Sequence, residues 1–315
     1  MNVLVTGANG FVGPYVVSRL ASDGHQVIAA VHLAPGASPE TQSSLDAAEQ
    51  IVELDVTDHE SVARLPLGDV DAVIHLAAVA SVGESISSPG RAWDVNAGGT
   101  ARLADALARG APRRRIVFLL VSSGEVYGVS EDRRPIAETC PAQPASPYAA
   151  SKLGAEIAAQ EIGRRTALEV VVARPFGHTG AHQASRYVVP AFARRVLAAK
   201  KIGAPVVTVG NLEPIREFMH VADVADAYVR LLQSGKDGET YNVASGHAVS
   251  LRDVFLQVAD IAGHPVIPEV DTALVRAVDV PYLVGDAARL TKATGWRPTT
   301  PLSETLREVV NAQAD

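Results

Sequence analysis

Residues 3–13, VLVTGANGFVG, run from an apolar stretch into three glycines, Gly7, Gly10 and Gly13. The spacing alone is weak evidence, because glycines gather wherever a chain turns tightly. Its context adds the rest: a strand-like run precedes it, a helix-like segment (11–21) follows, and an alternating series begins there. In such a turn Gly7 permits the bend, Gly10 lets backbone amides reach a pyrophosphate, and Gly13 lets helix and strand approach closely. The positive end of the helix dipole favours the same anion. The expected ligand is a dinucleotide.

Outward from this turn, NVLVT, QVIAAV, QIVEL, AVIHL, RIVFLLV and LEVVVA read as six strands. Helical patterns lie between most of them, notably at 11–21, 91–108 and 148–163. Strands apolar on both faces and joined by helices imply an α/β fold, a Rossmann-type doubly wound parallel sheet. After Arg174 the pattern loosens into helices near 186–199 and 221–232, strands VVTV and TYNVA, and a helix at 251–262. Ser250 is its expected N-cap and Gly263 its terminator, with short helices near Ala287 and Ser303 to follow. The expected division is a dinucleotide domain at 1–174, to which 221–245 returns. Residues 175–220 and 246–315 form a smaller C-terminal α/β substrate-binding domain.

Composition narrows the partners. A net charge of −7 argues against nucleic acid, which selects basic faces. The single cysteine, Cys140, excludes an internal disulfide and any multi-cysteine metal site. No apolar run reaches the roughly 18 residues of a membrane span, and no leader fits before the first strand, so the cytoplasm is the expected compartment.

Chemistry is expected from SPYAASK, where Tyr148 and Lys152 stand four apart at a helix start and project from one face. A lysine ammonium beside a phenol lowers its pKa, which suits Tyr148 to proton transfer. Ser123, at the end of the preceding strand, would share the substrate oxygen, with Ser122 as rival. At the second strand's end, Val31, His32 and Leu33 offer neither the carboxylate typical for NAD nor the arginine typical for NADP. His32 reads either as a phosphate contact or as a loop histidine; Asp55 either binds adenine or starts a helix with Asp58. His178 and His182 stand four apart without a third ligand, so no metal is expected.

TGANGFVG, HLAA, SSGEVYG and SPYAASK together resemble the extended short-chain dehydrogenase/reductase family. The resemblance implies an NAD(H)- or NADP(H)-dependent oxidoreductase with Ser123, Tyr148 and Lys152 as its catalytic trio. It places the cofactor against Gly7, Asn9, Gly10, Phe11, Val12, His32, Asp55, Val56, Leu76, Ala77, Ala78, Asn96, Tyr148, Lys152 and Pro175, with Asn96 also helping to hold the active-site architecture. It also implies a homodimer through the helices at 91–108 and 148–163. ARPFGHTGAHQ, VGNLEPIREF and VPYLVGDAARLTKATGWRP are similar to the nucleotide-sugar branch, most of all to GDP-4-keto-6-deoxymannose reductases. That implies a GDP-linked sugar held near Ser123, Glu125, Gly177, His178, Val189, Asn211, Arg216 and Arg276.

Two departures stand out. Gly177 replaces the asparagine usual after RPF. Gly124 and Glu125 occupy the stretch where dehydratases of the superfamily carry extra acid–base groups. A 4-epimerase or 4,6-dehydratase would use the same motifs, and a non-catalytic dinucleotide sensor would share only the fold.

Overall fold

Strand β1 (Asn2–Thr6) sends Val3 and Val5 into one apolar core and Leu4 into another. The period-two alternation of a strand places them on opposite faces. The strands β2 (Gln26–Val31), β4 (Ala72–His75), β5 (Ile116–Val121) and β6 (Leu168–Pro175) behave alike, while the edge strand β3 (Gln50–Glu53) is mostly exposed. The computed structural model describes residues 1–32, 45–110, 114–129, 132–275 and 280–314. Among these, β11 (Thr240–Val243) completes a seven-stranded parallel sheet ordered β11-β6-β5-β4-β1-β2-β3.

On one face lie α1 (Gly13–Ser22) and α8 (Val221–Ser234), burying Val16, Val17, Leu20, Tyr228 and Leu231 against the sheet. On the other face lie α2 (His59–Ala63), α5 (Gly99–Gly110) and α6 (Pro147–Arg165), burying Leu103, Leu107, Ala155 and Ile162. The strand order reverses at β1, between β2 and β4, and the crevice beyond the strand ends opens at such a point.

A third apolar core joins α7 (Val188–Ile202), β8 (Val206–Val209), α9 (Leu251–Ile261) and α11 (Leu302–Ala312), with β13 (Ile267–Val270) paired to β8. Phe192 and Phe255 meet edge to face at 5.3 Å in its middle. Ser250 caps α9 by accepting the Asp253 amide at 3.0 Å. Short pairs, β7 (His178–Thr179) with β10 (Met219–His220) and β9 (Ile215–Arg216) with β12 (Val249–Ser250), line the seam. The stretch around α10 (Ala288–Thr294) departs from expectation. Leu290 and Trp296 join the sheet-side core, and the indole of Trp296 donates to the Asp223 carbonyl at 2.9 Å. No described helix is long and apolar enough to cross a membrane.

The helix expected at 91–108 is present and carries a π-turn within it. After α3 (Val82–Ser87), α4 (Pro89–Trp93) runs into a π-turn at Asp94–Gly98 before α5 begins. Two consecutive glycines weaken the helix there, and Gly99 packs so closely on Val56 that a Cβ would lie 2.6 Å from its Cγ2. The wide turn aims the buried Asn96 side chain inward. Its Oδ1 accepts from the Val79 amide at 2.8 Å, and its Nδ2 donates to the Val79 carbonyl at 3.1 Å and to Ser151 Oγ at 2.9 Å. Ser151 in turn donates to the Tyr148 carbonyl at 2.8 Å.

The glycine turn is built on backbone contact. Gly7 sits at φ +66°, and a Cβ there would lie 2.8 Å from the Ala77 amide nitrogen. A Cβ on Gly13 would lie 2.1 Å from the Ala8 carbonyl oxygen. Gly13→Ala is expected to lose at least about 1–3 kcal/mol, read from the urea midpoint, because the obstacle is backbone. Asn96→Ala is expected to cost about 1–3 kcal/mol for each stranded Val79 backbone group in the same measurement.

Candidate active site at the strand ends

The carboxyl ends of the strands open into a cleft of about 2070 Å³. A single small ligand commonly occupies roughly 300–1,000 Å³, so this cleft has room for two ligands side by side. Gly7, Asn9, Gly10, Phe11 and Val12 form one end of its wall. A Cβ on Gly10 would meet only the Gly7 carbonyl, at 3.1 Å, within 4 Å. The surface beside the N-terminus of α1 is therefore bare backbone, which suits a pyrophosphate.

His32, Asp55, Val56, Leu76, Ala77, Ala78 and Pro175 line the same half. Asn9 donates to the His32 carbonyl at 3.0 Å. Asp55 is not the helix cap: Asp58 caps α2 by accepting from Glu60 and Ser61. The Asp55 Oδ1 accepts from the Thr57 hydroxyl and amide at 2.7 and 2.8 Å, and the Thr57 hydroxyl is the main cause of its lowered pKa. Asn96 departs from the expected cofactor contacts. It is buried behind the cleft wall, spent on Val79 and Ser151, and shapes the site without lining it.

Tyr148 and Lys152 enter from the first turns of α6, which Ser146 caps and Pro147 opens. Ser85 of α3 pins the Tyr148 amide at 3.1 Å. Ser123 and Tyr148 are hydrogen-bonded to each other through their hydroxyls. The rival Ser122 also lines the cleft, with its hydroxyl donating to Glu156.

Tyr148 differs from expectation. Its pKa is raised, burial being the chief cause, while the Ser123 hydrogen bond opposes the rise and Glu125 and Tyr187 add to it. Lys152, buried beneath, is lowered to about 8 by burial, with Glu156 opposing the fall. His75, in the wall behind, is fully buried and lowered to about 3, first by burial and then by the Lys152 charge, so its ring is neutral. Thr100 spends its proton on the Asn96 carbonyl at 2.6 Å, so His75 Nε2 donates to Thr100 at 3.1 Å and Nδ1 accepts from Thr6 at 2.7 Å.

Across the cleft stand Glu125, Gly177, His178, Val189, Asn211 and Arg216. Arg276 lies outside the described residues. His178 Nδ1 donates to the Phe176 carbonyl at 2.9 Å, and its ring stacks on Phe11 at 6.2 Å. Glu213 pairs with Arg252 at 2.8 Å. Glu217 is fully buried and accepts from Ser245, Gly246 and the Gly285 amide.

Both departures from the branch pattern have a steric account. A Cβ at Gly177 would lie 2.0 Å from the Glu217 carbonyl oxygen, so this backbone leaves no place for an asparagine. A Cβ at Gly124 would lie 3.0 Å from three atoms of the Phe176 ring. Tyr187, which lines the cleft and acts electrostatically on Tyr148, was not singled out from the sequence; nor were Glu156 and Arg174 behind it. The i,i+4 spacing of Lys152 and Glu156 is the one signal that could have found the latter pair.

Comparison with known proteins agrees with this geometry. The profile of the NAD dependent epimerase/dehydratase family matches residues 3–244. A GDP-6-deoxy-D-mannose reductase of Pseudomonas aeruginosa is 35% identical over 312 residues, spanning 98% of this chain and 96% of that protein. A UDP-glucose 4-epimerase of Mycolicibacterium smegmatis is 32% identical over 314 residues, spanning 98% and 97%. The structure of RMD from Pseudomonas aeruginosa complexed with NADPH superposes with a TM-score of 0.82 at 33% identity, covering 99% of this chain and 98% of that one. The chain belongs to the NAD dependent epimerase/dehydratase family and is an NAD(P)-dependent oxidoreductase of the extended short-chain dehydrogenase/reductase type.

Proposed function

We propose that the protein reduces the C4 ketone of a GDP-linked 4-keto-6-deoxy sugar, of the GDP-4-keto-6-deoxymannose kind, to a GDP-deoxyhexose. The observation that carries this reading is the convergence of Ser123, Tyr148 and Lys152 on a cleft roomy enough for a dinucleotide and a sugar nucleotide. The name of the Pseudomonas aeruginosa relative supports the choice of sugar.

NADPH or NADH would lie along the half of the cleft that begins at Gly7, and it supplies the hydride. The protein's own part is acid catalysis and alignment. Tyr148, protonated at neutral pH because burial raises its pKa, donates a proton to the ketone oxygen. Ser123, already bonded to that phenol, orients the same oxygen. Lys152 places a positive charge beneath Tyr148. Arg216, whose Nη1 donates to the Ile215 carbonyl at 2.9 Å, would offer a guanidinium to the diphosphate.

The stretch at Gly124 and Glu125 does not separate a reductase from a dehydratase, since Glu125 lines the cleft and either chemistry can carry an acid there. A 4-epimerase is the second reading, supported by the Mycolicibacterium smegmatis relative and by a trio that serves either chemistry.

Assembly and location form part of the proposal. Ile86, Trp93 and Ile157 are 54%, 46% and 59% exposed on α3, α4 and α6, a patch that supports a homodimer through these helices. Cys140, the only cysteine, is unpaired, which accords with work in a reducing cytoplasm.

Nicotinamide absorbance with NADPH and GDP-4-keto-6-deoxymannose tests the reading: steady loss of reduced cofactor is expected. Tyr148→Phe is expected to slow that loss by ~100- to 10,000-fold, the usual contribution of positioned proton transfer. A variant that keeps most of its rate contradicts the assignment. Ile157→Glu is expected to turn a dimer into a monomer in sedimentation velocity, with the fold intact by circular dichroism.

A further inference from the structure

Behind the catalytic lysine lies a charged network that the reaction as described does not use. Glu156 follows Lys152 by one helical turn on the same face of α6, and both are buried, at 3% and 5% exposure. Arg174, at the end of β6, grips the carboxylate with two bonds, Nε to Oε1 at 2.9 Å and Nη2 to Oε2 at 2.6 Å. The Ser122 hydroxyl adds a third. Arg174 is itself fixed, its guanidinium 4.8 Å over the ring of Tyr127, whose hydroxyl donates to Asn242 Oδ1 at 2.8 Å.

A buried ion pair of this kind is weak evidence for stability, because well-packed apolar residues often serve as well or better. Its position suggests a different use. We propose that Glu156 is a positioning residue for Lys152: clamped by Arg174 and Ser122, its carboxylate attracts the lysine ammonium along the helix and keeps that side chain charged in a buried site. The inference rests on the role given to Lys152 above.

The other groups around Lys152 do not supply that negative charge. β4 contributes the neutral His75, β6 contributes the cation Arg174, and α8 contributes the protonated Tyr228. The turn after β5 brings Tyr127 and Glu125, the latter on the side of Tyr148. Glu84, Arg91 and Asp94 of α3, α4 and the π-turn are exposed residues along the cleft's rim, not buried beside Lys152. Arg174, bonded to the Glu156 carboxylate, carries the opposite charge, so removing Glu156 alone leaves an unmatched cation nearby, whereas removing both does not.

The chain has five lysines, at 152, 200, 201, 236 and 292, few enough to follow singly. Titration of 13C-labelled lysines by NMR, with Lys152 assigned through Lys152→Arg, reads its protonation without substrate. The Lys152 midpoint is expected near 8 in the native protein. It should fall by about one unit in Glu156→Gln, stay near native in Glu156→Asp, and move back up in the Glu156→Gln/Arg174→Gln double variant. The alkaline limb of kcat/KM should follow, so Glu156→Gln loses activity above pH 8 far more than at pH 6.

A Lys152 midpoint unmoved in Glu156→Gln, or an equal loss of activity at every pH, overturns the inference. So does a double variant displaced further than the single one. Full activity in Tyr148→Phe would instead remove the reading beneath it, whatever Lys152 does in the titration.

Discussion

The Ala8 carbonyl lies where any side chain on Gly13 would have to go, and the Ala77 amide does the same to Gly7. These two backbone contacts bring α1 down onto β1 and draw the end of β4 against the turn. The rest of the site depends on them. A sheet buried on both faces has nowhere else to put polar chemistry but beyond its strand ends. The reversal of strand order at β1 decides which of those ends gape. With α1 seated, bare backbone faces the cleft at Gly10, and the wall from Leu76 to Ala78 closes its flank.

From that edge the catalytic face is assembled by hydrogen bonds running sideways through the interior. Thr6, His75, Thr100, Asn96 and Ser151 connect β1 to the Tyr148 carbonyl without a break. The chain is neutral throughout, since burial keeps His75 uncharged. Charge enters at Lys152, behind which lies the buried Glu156–Arg174 ion pair. Pre-organised dipoles around a buried cation are what a site for acid catalysis needs.

Much of this was legible in the sequence. The alternation of apolar runs with helical segments carried the sheet, because a strand buried on both faces leaves an unmistakable pattern. Tyr148 and Lys152 share a helix face by spacing alone. What stayed hidden was set by tertiary contact. The π-turn at Asp94–Gly98 follows from Asn96 reaching Val79 across the fold, which no local propensity encodes. Glu217 was not singled out from the sequence, yet it is a fully buried acceptor that ties the Ser245–Gly246 and Gly285 segments to its own. The Tyr148 pKa was judged from its lysine, while burial prevails over every neighbour. Trp296 packs on the sheet because its indole finds the Asp223 carbonyl, a partner far away in sequence.

The central claim, net hydride delivery to a ketone assisted by Tyr148, is tested most directly by isotope transfer. NADPH deuterated at nicotinamide C4 and GDP-4-keto-6-deoxymannose would be incubated with the native protein and the sugar product analysed by NMR and mass spectrometry. One deuterium at sugar C4 for each NADPH consumed is the predicted result. No net oxidation of NADPH, together with unlabelled GDP-sugar inverted or dehydrated only when NAD is bound, would contradict it.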